Sequence, residues 1–322
     1  MKELKITTDT KNQRLDKFLG KYLNDAPMSF IYKMLRKKNI KLNGKKAAGS
    51  EILCENDIIN IYMTDESIDK FRSQKSVSHA VGDIDIVYED THILILNKPR
   101  GLLTHPDFSN AHDTLLSRTL SYLYQKGDYD TSKESVFTPG FCNRLDRNTT
   151  GIVVCGKTLN ASQRLNKVIS SGGAEKYYSV IVVGEVRLGG ILRGLHTKDQ
   201  RTNKVSISND NTEGKEAVTE YEPIMAQNGH SLLKIKLITG RSHQIRAHLS
   251  GIGHPVLGDV KYGTKNVREP NTPKFQMLHS ASIRFYTLTD ELEYLNNILF
   301  EADAPQDFIK HRNRLFGGLQ SR

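Results

Sequence analysis

"NRLDRNTTGI", residues 143 to 152, sets one carboxylate between two guanidinium groups at the mouth of an apolar strand. Asp146 is the only acid between Glu134 and Glu175, and Arg144 and Arg147 flank it. An opposite charge nearby favours the ionised form of a carboxylate. A general acid needs the reverse, so the stretch suits a nucleophile or an electrostatic stabiliser. Carboxylates act as nucleophiles at sugar carbons in glycosyl chemistry. A plain ion pair at a turn would look the same in the motif alone.

The charge of the whole chain narrows the partner. Its 322 residues carry a formal net charge of +10, with a pI of about 9.3. Such a surplus points to a polyanion, nucleic acid first and an anionic membrane second. The distribution says more than the total. Residues 26 to 50 hold Lys33, Arg36, Lys37, Lys38, Lys41, Lys45 and Lys46 and no acid. Three cysteines, Cys54, Cys142 and Cys155, make no disulfide framework and indicate a reducing compartment. "MKELKITTDT" has no apolar run of signal-peptide length. No stretch approaches the ~18 apolar residues of a membrane span. The expectation is a soluble, cytoplasmic chain.

Periodicity divides the chain in two. Leu15, Phe18, Leu19, Tyr22 and Leu23 recur at helical spacing, so a helix is predicted over 14 to 23. A second helix follows Pro27, with Ser29 as N-cap and Phe30, Ile31, Met34 and Leu35 on its buried face. "IKLNGKK" reads as a hairpin turning at Asn43-Gly44, and "DIINIYM" as a closing strand. Residues 64 to 82 lack apolar periodicity and read as a linker. A larger domain is expected over 83 to 300, followed by a basic polar tail over 301 to 322, a candidate docking segment. In that domain "GIVVCGKT" and "HSLLKIKLITG" are strands. "NASQRLNKVISSGG" is a helix capped by Asn160 and stopped at Gly172. "RSHQIRAHLSGIG" is a helix with Ile245, Leu249 and Ile252 on one face. Strands outnumber helices and many look antiparallel, so the fold class is α+β.

Rival chemistries fit less well. His243 and His248 are five apart, about 140° on a helix, whereas metal pairs sit four apart. No metal is expected there or at His254. Cys142 reads as a small hydrophobe rather than a nucleophile. No Walker loop or dinucleotide fingerprint occurs, so no nucleotide cofactor is expected.

Four blocks in order carry a resemblance. "NRLDRNTTG" resembles the "HRLDxxTSG" signature of the RluA-type pseudouridine synthases. "EKYYSVIVVGEV" resembles that family's Lys-x-Tyr strand, with Lys176 and Tyr178 in register and Gly184 six residues on. "TGRSHQIRAHLSGIGHPVLGDVKYG", 239 to 263, resembles the third block almost letter for letter, and "LILNKPRGLLTHP", 94 to 106, the entry block. Together they cover roughly 83 to 290. Residues 1 to 63 resemble the S-four-like RNA-binding fold, named after a ribosomal protein. Two positions depart from the signature: Asn143 stands for His and cannot titrate, and Thr149-Thr150 stands for Thr-Ser.

The resemblance implies a small amino-terminal S-four-like domain before a mixed, mostly antiparallel catalytic domain. It implies that uridine within RNA is flipped out, cut at C1′–N1, turned and rejoined through C5, without cofactor or metal. Asp146 would be the catalytic carboxylate, Arg246 its partner, and Tyr178 the aromatic against the base. Arg144, Arg241 and His243 would contact RNA at the site, and Lys33, Arg36, Lys37, Lys38 and Lys41 beyond it. The bland readings are a phosphate contact for Arg246, a core aromatic for Tyr178 and a simple salt bridge for Arg144. "RLDKFL" and the basic helix look most like the branch acting on large-subunit ribosomal RNA, near the RluC type. The chain is expected to act on it as a monomer. The alternatives are a non-catalytic RNA-binding or ribosome-assembly protein, and the same chemistry on transfer RNA. A glycosidase is disfavoured because it wants a second paired carboxylate.

Overall fold

A computed structural model of the chain describes residues 1–8, 10–72, 82–107, 112–130, 137–199, 204–208, 213–263 and 272–317. The amino-terminal part comprises β1 (Lys2–Lys5), α1 (Leu15–Tyr22), α2 (Met28–Arg36), β2 (Ile40–Leu42), β3 (Lys45–Lys46), β4 (Ile58–Ile61) and α3 (Asp65–Asp69). Its strands form an antiparallel sheet in the order β1-β4-β2-β3. The apolar stripes of α1 and α2 close over it. Leu15, Leu19, Ile31, Leu35, Ile40 and Ile59 are each at most 2% exposed and share one core. Asn43 and Gly44 both have positive φ, 50° and 74°, as the expected hairpin turn requires.

Two local expectations here are corrected. Helix α2 begins at Met28 behind Pro27, so Ser29 lies inside it and caps nothing. Proline fits at a helix start because its missing N–H has no partner there anyway. The supposed linker also begins with structure. The hydroxyl of Thr64 accepts from the amide of Ser67 and starts α3. Ile68 is buried in the amino-terminal core, and the Phe71 ring packs 4.4 Å from that of Phe30. One helical turn with two apolar anchors is too short to show a period. Residues 73–81 of the expected linker lie outside the described residues.

The second part begins with β5 (Ile86–Glu89), β6 (Ile93–Lys98), α4 (Leu115–Lys126), β7 (Gly140–Phe141), β8 (Thr150–Gly156) and α5 (Leu159–Ser171). It continues with β9 (Ala174–Val183), β10 (Gly190–Lys198), β11 (Val205–Ser208), β12 (Lys215–Gln227), β13 (His230–Leu237) and α6 (Gln244–Gly251). It ends with β14 (Leu278–Phe285), β15 (Leu299–Glu301) and α7 (Gln306–Phe316). Among the described residues these strands make one eleven-stranded sheet in the order β11-β10-β12-β13-β9-β14-β8-β6-β5, with β15 beside β14 and β7 beside β8. Every pairing is antiparallel except β14 with β8. The fold is therefore mixed α/β on a mostly antiparallel sheet.

Strands β6 and β8 read as continuous apolar runs because both of their faces are covered. Leu94, Leu96, Val153 and Cys155 pack under α4 and α6, while Ile93, Ile95, Ile152 and Val154 pack under α5. Helix α5 is capped by Thr158, whose hydroxyl accepts from the amide of Ala161, two residues before the expected Asn160. Its end at Gly172, φ 83°, is as expected. Ile252 is the exposed C-cap of α6 rather than part of its buried face.

The expected polar tail is corrected too. Glu301 closes β15, and α7 carries Phe308, Leu315 and Phe316 into a core with Ile181 and Met277. Its basic residues lie on the solvent side and hide this apolar stripe from a composition count. Residues 318–322 lie outside the described residues.

Candidate active site

Asp146 lies in the connection between β7 and β8, and each neighbour in the chain is tied down. The hydroxyl of Thr104 donates to the carbonyl of Leu145 at 2.9 Å and accepts from its amide at 3.2 Å. The ammonium of Lys98, 0% exposed, donates to the carbonyls of Arg147 (3.0 Å), Leu102 (2.7 Å) and Pro99 (2.9 Å). Burial pulls the Lys98 pKa down to about 7, against the attraction of Asp146. Arg100 adds a bond to the carbonyl of Asn148 at 3.0 Å. Thr150 bonds Nδ1 of His279 at 2.8 Å, and Nε2 of that ring donates to the carbonyl of Ala302 at 2.9 Å. A carbonyl only accepts, so the neutral ring carries its proton on Nε2 and the Thr150 hydroxyl donates.

Asn143 explains its own departure from the family signature. Its Oδ1 accepts from the amide of Val154 at 2.8 Å and its Nδ2 donates to the carbonyl of Ile152 at 3.1 Å. The side chain clamps the loop to β8, which an amide does without titrating. Gly151 completes the joint. It has φ 106°, and a Cβ there would lie 2.1 Å from the carbonyl oxygen of Ser280. Only glycine lets β8 and β14 approach in their parallel pairing.

The partner of Asp146 comes from far along the chain. Nη1 of Arg246, on α6, donates to Oδ2 of Asp146 at 2.7 Å. The other edge of the guanidinium makes a two-toothed pair with Asp259, Nε to Oδ2 at 2.6 Å and Nη2 to Oδ1 at 2.8 Å. Asp259 also accepts from the amides of Lys261 and Tyr262. Burial pushes the Asp259 pKa up, but the Arg246 guanidinium and those amides outweigh it and hold it below the usual value. The Tyr262 ring lies 5.0 Å from the guanidinium carbon. Planar bidentate pairing of this kind fixes a guanidinium in orientation as well as position.

His243 stands on the third side. Its backbone is left-handed, φ 53°, at the start of α6. The Tyr262 hydroxyl accepts from the amide of Val205 and lies 2.9 Å from Nδ1 of His243. Its Nε2 lies 3.8 Å from Oδ2 of Asp146. Burial lowers the pKa of this imidazole.

Asp146, Arg246 and His243 line one cavity of about 540 Å³, together with Arg144, Lys176, Tyr178, Arg241 and the apolar Leu237, Ile245 and Leu278. Tyr178 is 7% exposed, and burial pushes its phenol up to about 12, so it is neutral at ordinary pH. Cys142 also reaches the cavity, but burial raises its thiol to about 12, and it stays a thiol. The structure thus brings Asp146, Tyr178, Arg246, Arg144, Arg241 and His243 together. The flanking guanidinium groups do not pair with Asp146, contrary to the sequence reading. Arg144 reaches Ser242 at 2.8 Å and Arg147 the carbonyl of Gly101 at 3.0 Å. Lys33, Arg36, Lys37 and Lys38 are exposed on and after α2, and Lys41 lies 5.0 Å from the ring centre of Tyr62. His248 and His254 turn elsewhere, to Thr219 and the carbonyl of Val183.

A family model described as RNA pseudouridylate synthase matches residues 92–251. A protein of Mycoplasma capricolum subsp. capricolum, named an uncharacterized RNA pseudouridine synthase, is 33% identical over 299 residues. That alignment covers 91% of this chain and 94% of the other. The chain belongs to the RluA-type family of RNA pseudouridine synthases. The ribosomal large subunit pseudouridine synthase D of Yersinia pestis is 30% identical over 318 residues, 94% of this chain and 91% of its own. The ribosomal relative thus bears the D designation, where the sequence pattern was read as nearest the C type. The fold agrees: human RNA pseudouridylate synthase domain containing 4 superposes with a TM-score of 0.54 at 21% identity, over 72% of this chain and 92% of that one.

Two residues that hold the array around Asp146 escaped the sequence reading. Asp259 and Tyr262 lie in "GDVKYG", inside the third matching block. Nothing local marks Asp259 as the anchor of Arg246, thirteen residues away across the end of α6. Among the described residues, no helix is long and apolar enough to cross a membrane, and no cluster of three metal-ligating side chains occurs.

Proposed function

We propose that this pseudouridine synthase isomerises uridines of large-subunit ribosomal RNA, with Asp146 as its catalytic carboxylate. The observation that carries the reading is the Asp146–Arg246 pair at the wall of a cavity of about 540 Å³, with Arg246 anchored by Asp259. Arg246 is saturated by Asp259 on one edge and presents the other to Asp146. It thereby orients the carboxylate without becoming a proton source. The ionised carboxylate then either bonds to C1′ or takes a proton from the sugar as the C1′–N1 bond breaks. Tyr178 offers a neutral aromatic surface to the base. Arg144 and Arg241 stand at the mouth, where the phosphates of a flipped nucleotide would pass.

Extruding the uridine costs a few kcal/mol of unstacking. Cationic contacts to phosphate offset part of that cost. We assign this role to an amino-terminal S-four-like unit, taken as residues 1 to 72 because α3 and Phe71 share its core. Loop uridines are the natural targets, since single-stranded RNA exposes its bases. The synthase D names of relatives support the ribosomal branch over transfer RNA.

The test is chemical mapping of pseudouridine in ribosomal and transfer RNA, with and without the gene, beside reactions of purified protein without cofactor. Loss of ribosomal pseudouridines is expected. Loss confined to transfer RNA would redirect the substrate, and no loss with no activity in vitro would leave an RNA-binding protein.

A further inference from the structure

Among the described residues, one cation that lines the cavity has no hydrogen-bond or ion-pair partner. Lys176 lies on β9 two residues before Tyr178, so both side chains leave the same face of the strand. Both line the cavity. Lys176 is only 8% exposed. Among the described residues it makes no hydrogen bond and no ion pair. The other buried cations nearby are all satisfied: Lys98 by three carbonyls, Arg246 by two carboxylates. A cation in so sheltered a place is costly without a partner, and a methionine of similar length would fill the same space without that penalty. A cation kept in a cavity also lined by Leu237, Ile245 and Leu278 points to a negative partner that arrives with the substrate.

We propose that Lys176 stabilises the detached uracil as an anion, by donating from its ammonium to a carbonyl oxygen of the base. The inference rests on the functional reading above. When C1′–N1 breaks, the bonding pair leaves on N1 and uracil becomes a monoanion, its charge shared by N1, O2 and O4. Asp146 meanwhile bonds to C1′ or holds the sugar proton. A half-turn of the ring about the line through N3 and C6 exchanges N1 with C5 and O2 with O4. A cation fixed in the wall therefore meets one carbonyl before the turn and the other after it. The pair at C5 then forms the C5–C1′ bond, the carboxylate is released or returns the proton to the sugar, C5 loses its proton and N1 gains one. Arg246 cannot serve the base in this way, because both of its edges are engaged. A fixed charge aimed where charge develops is the usual source of large rate effects.

Lys176→Met and Lys176→Arg in the full chain test this under single-turnover conditions, on one RNA carrying uridine or 5-fluorouridine at the target. Wild-type conversion of uridine checks the functional reading itself, and its absence would overturn both readings. Given wild-type turnover, Lys176→Met should slow C1′–N1 cleavage on uridine by about 10²–10³-fold, the usual effect of removing one such donor. RNA affinity and its salt slope should stay as in wild type, and the melting temperature should not fall. Lys176→Arg should recover part of the rate. Fluorine withdraws charge and makes the detached base a better anion. The loss in Lys176→Met, followed as disappearance of 5-fluorouridine from nuclease digests, should then shrink about tenfold or more, a large part of that donor effect. An undiminished uridine rate, an equal loss on both bases, or a shallower salt slope would each overturn the inference, the last by making Lys176 a phosphate contact.

Discussion

Nη1 of Arg246 lies 2.7 Å from Oδ2 of Asp146 across a hundred residues of chain. The guanidinium is held in that pose from behind by Asp259, whose side chain is wholly buried. Asp259→Asn keeps the shape and removes the charge. Breaking one partner of a buried pair costs about 3–5 kcal/mol, because the other charge is left uncompensated. A lower melting temperature is expected, with kcat falling about 10²-fold from misplacement of the carboxylate and KM changing little. Single-turnover rates beside thermal melts decide it. A stable, fully active variant would show that Arg246 needs no anchor.

Lys98 ties this loop to pH. Its folded pKa of about 7 lies well below the unfolded lysine value of about 10.4. Below pH 7 the ammonium is protonated in both states. Between 7 and 10 the folded protein has shed a proton that the unfolded chain keeps, so this group adds stability as pH rises. Lys98→Met lacks that component. The stability of wild type minus variant, from denaturant melts at several pH values, should therefore grow from pH 7 to 10. A flat difference would mean that the buried group never loses its proton.

Helix α7 braces the same loop from the far side. Phe308, 1% exposed, packs with its ring 6.3 Å from that of His279, and Asp307 pairs with Arg100 at 2.9 Å. Phe308→Ala should cost about 3–5 kcal/mol. Removing residues 305 to 322 should lower the melting temperature and kcat together. Retention of both would return this segment to the role of a docking tail.

Deleting residues 1 to 72 separates grip from chemistry. Each phosphate contact contributes roughly 0.7–0.9 to the slope of log affinity against log salt. If three or four of the amino-terminal bases touch RNA at once, the slope should drop by about two to three. Turnover on saturating substrate should persist. An unchanged slope would place the basic stretch against solvent or protein. Full affinity without turnover would make the amino-terminal unit part of the active site.

What the sequence disclosed follows the range of the forces involved. The helices at 15–22 and 28–36 and the Asn43-Gly44 turn were legible, because stripe and turn chemistry are local. The order of the blocks placed Asp146, Tyr178 and Arg246 in one site, since the matching motifs span the catalytic part. The resemblance pointed to Arg246 as the partner of Asp146, and the two do pair. The local motif pointed instead to Arg144 and Arg147, which are adjacent in sequence, yet their side chains leave the loop in other directions. Asp259 stayed hidden because a fully buried acid looks like any surface acid until its guanidinium is seen. The single turn of α3 and the stripe of α7 were masked by polar composition. Each was betrayed only by two or three apolar residues whose partners lie in distant elements.

The central claim, that Asp146 performs the chemistry, is tested most directly by Asp146→Asn on RNA carrying 5-tritiated uridine. The side chain keeps its size and loses its charge, so RNA affinity should stay within about tenfold, a change of about 1.4 kcal/mol. Single-turnover tritium release, which reports loss of the C5 hydrogen, should be abolished. Release at an appreciable fraction of the wild-type rate would contradict the assignment of Asp146 and the mechanism built on it.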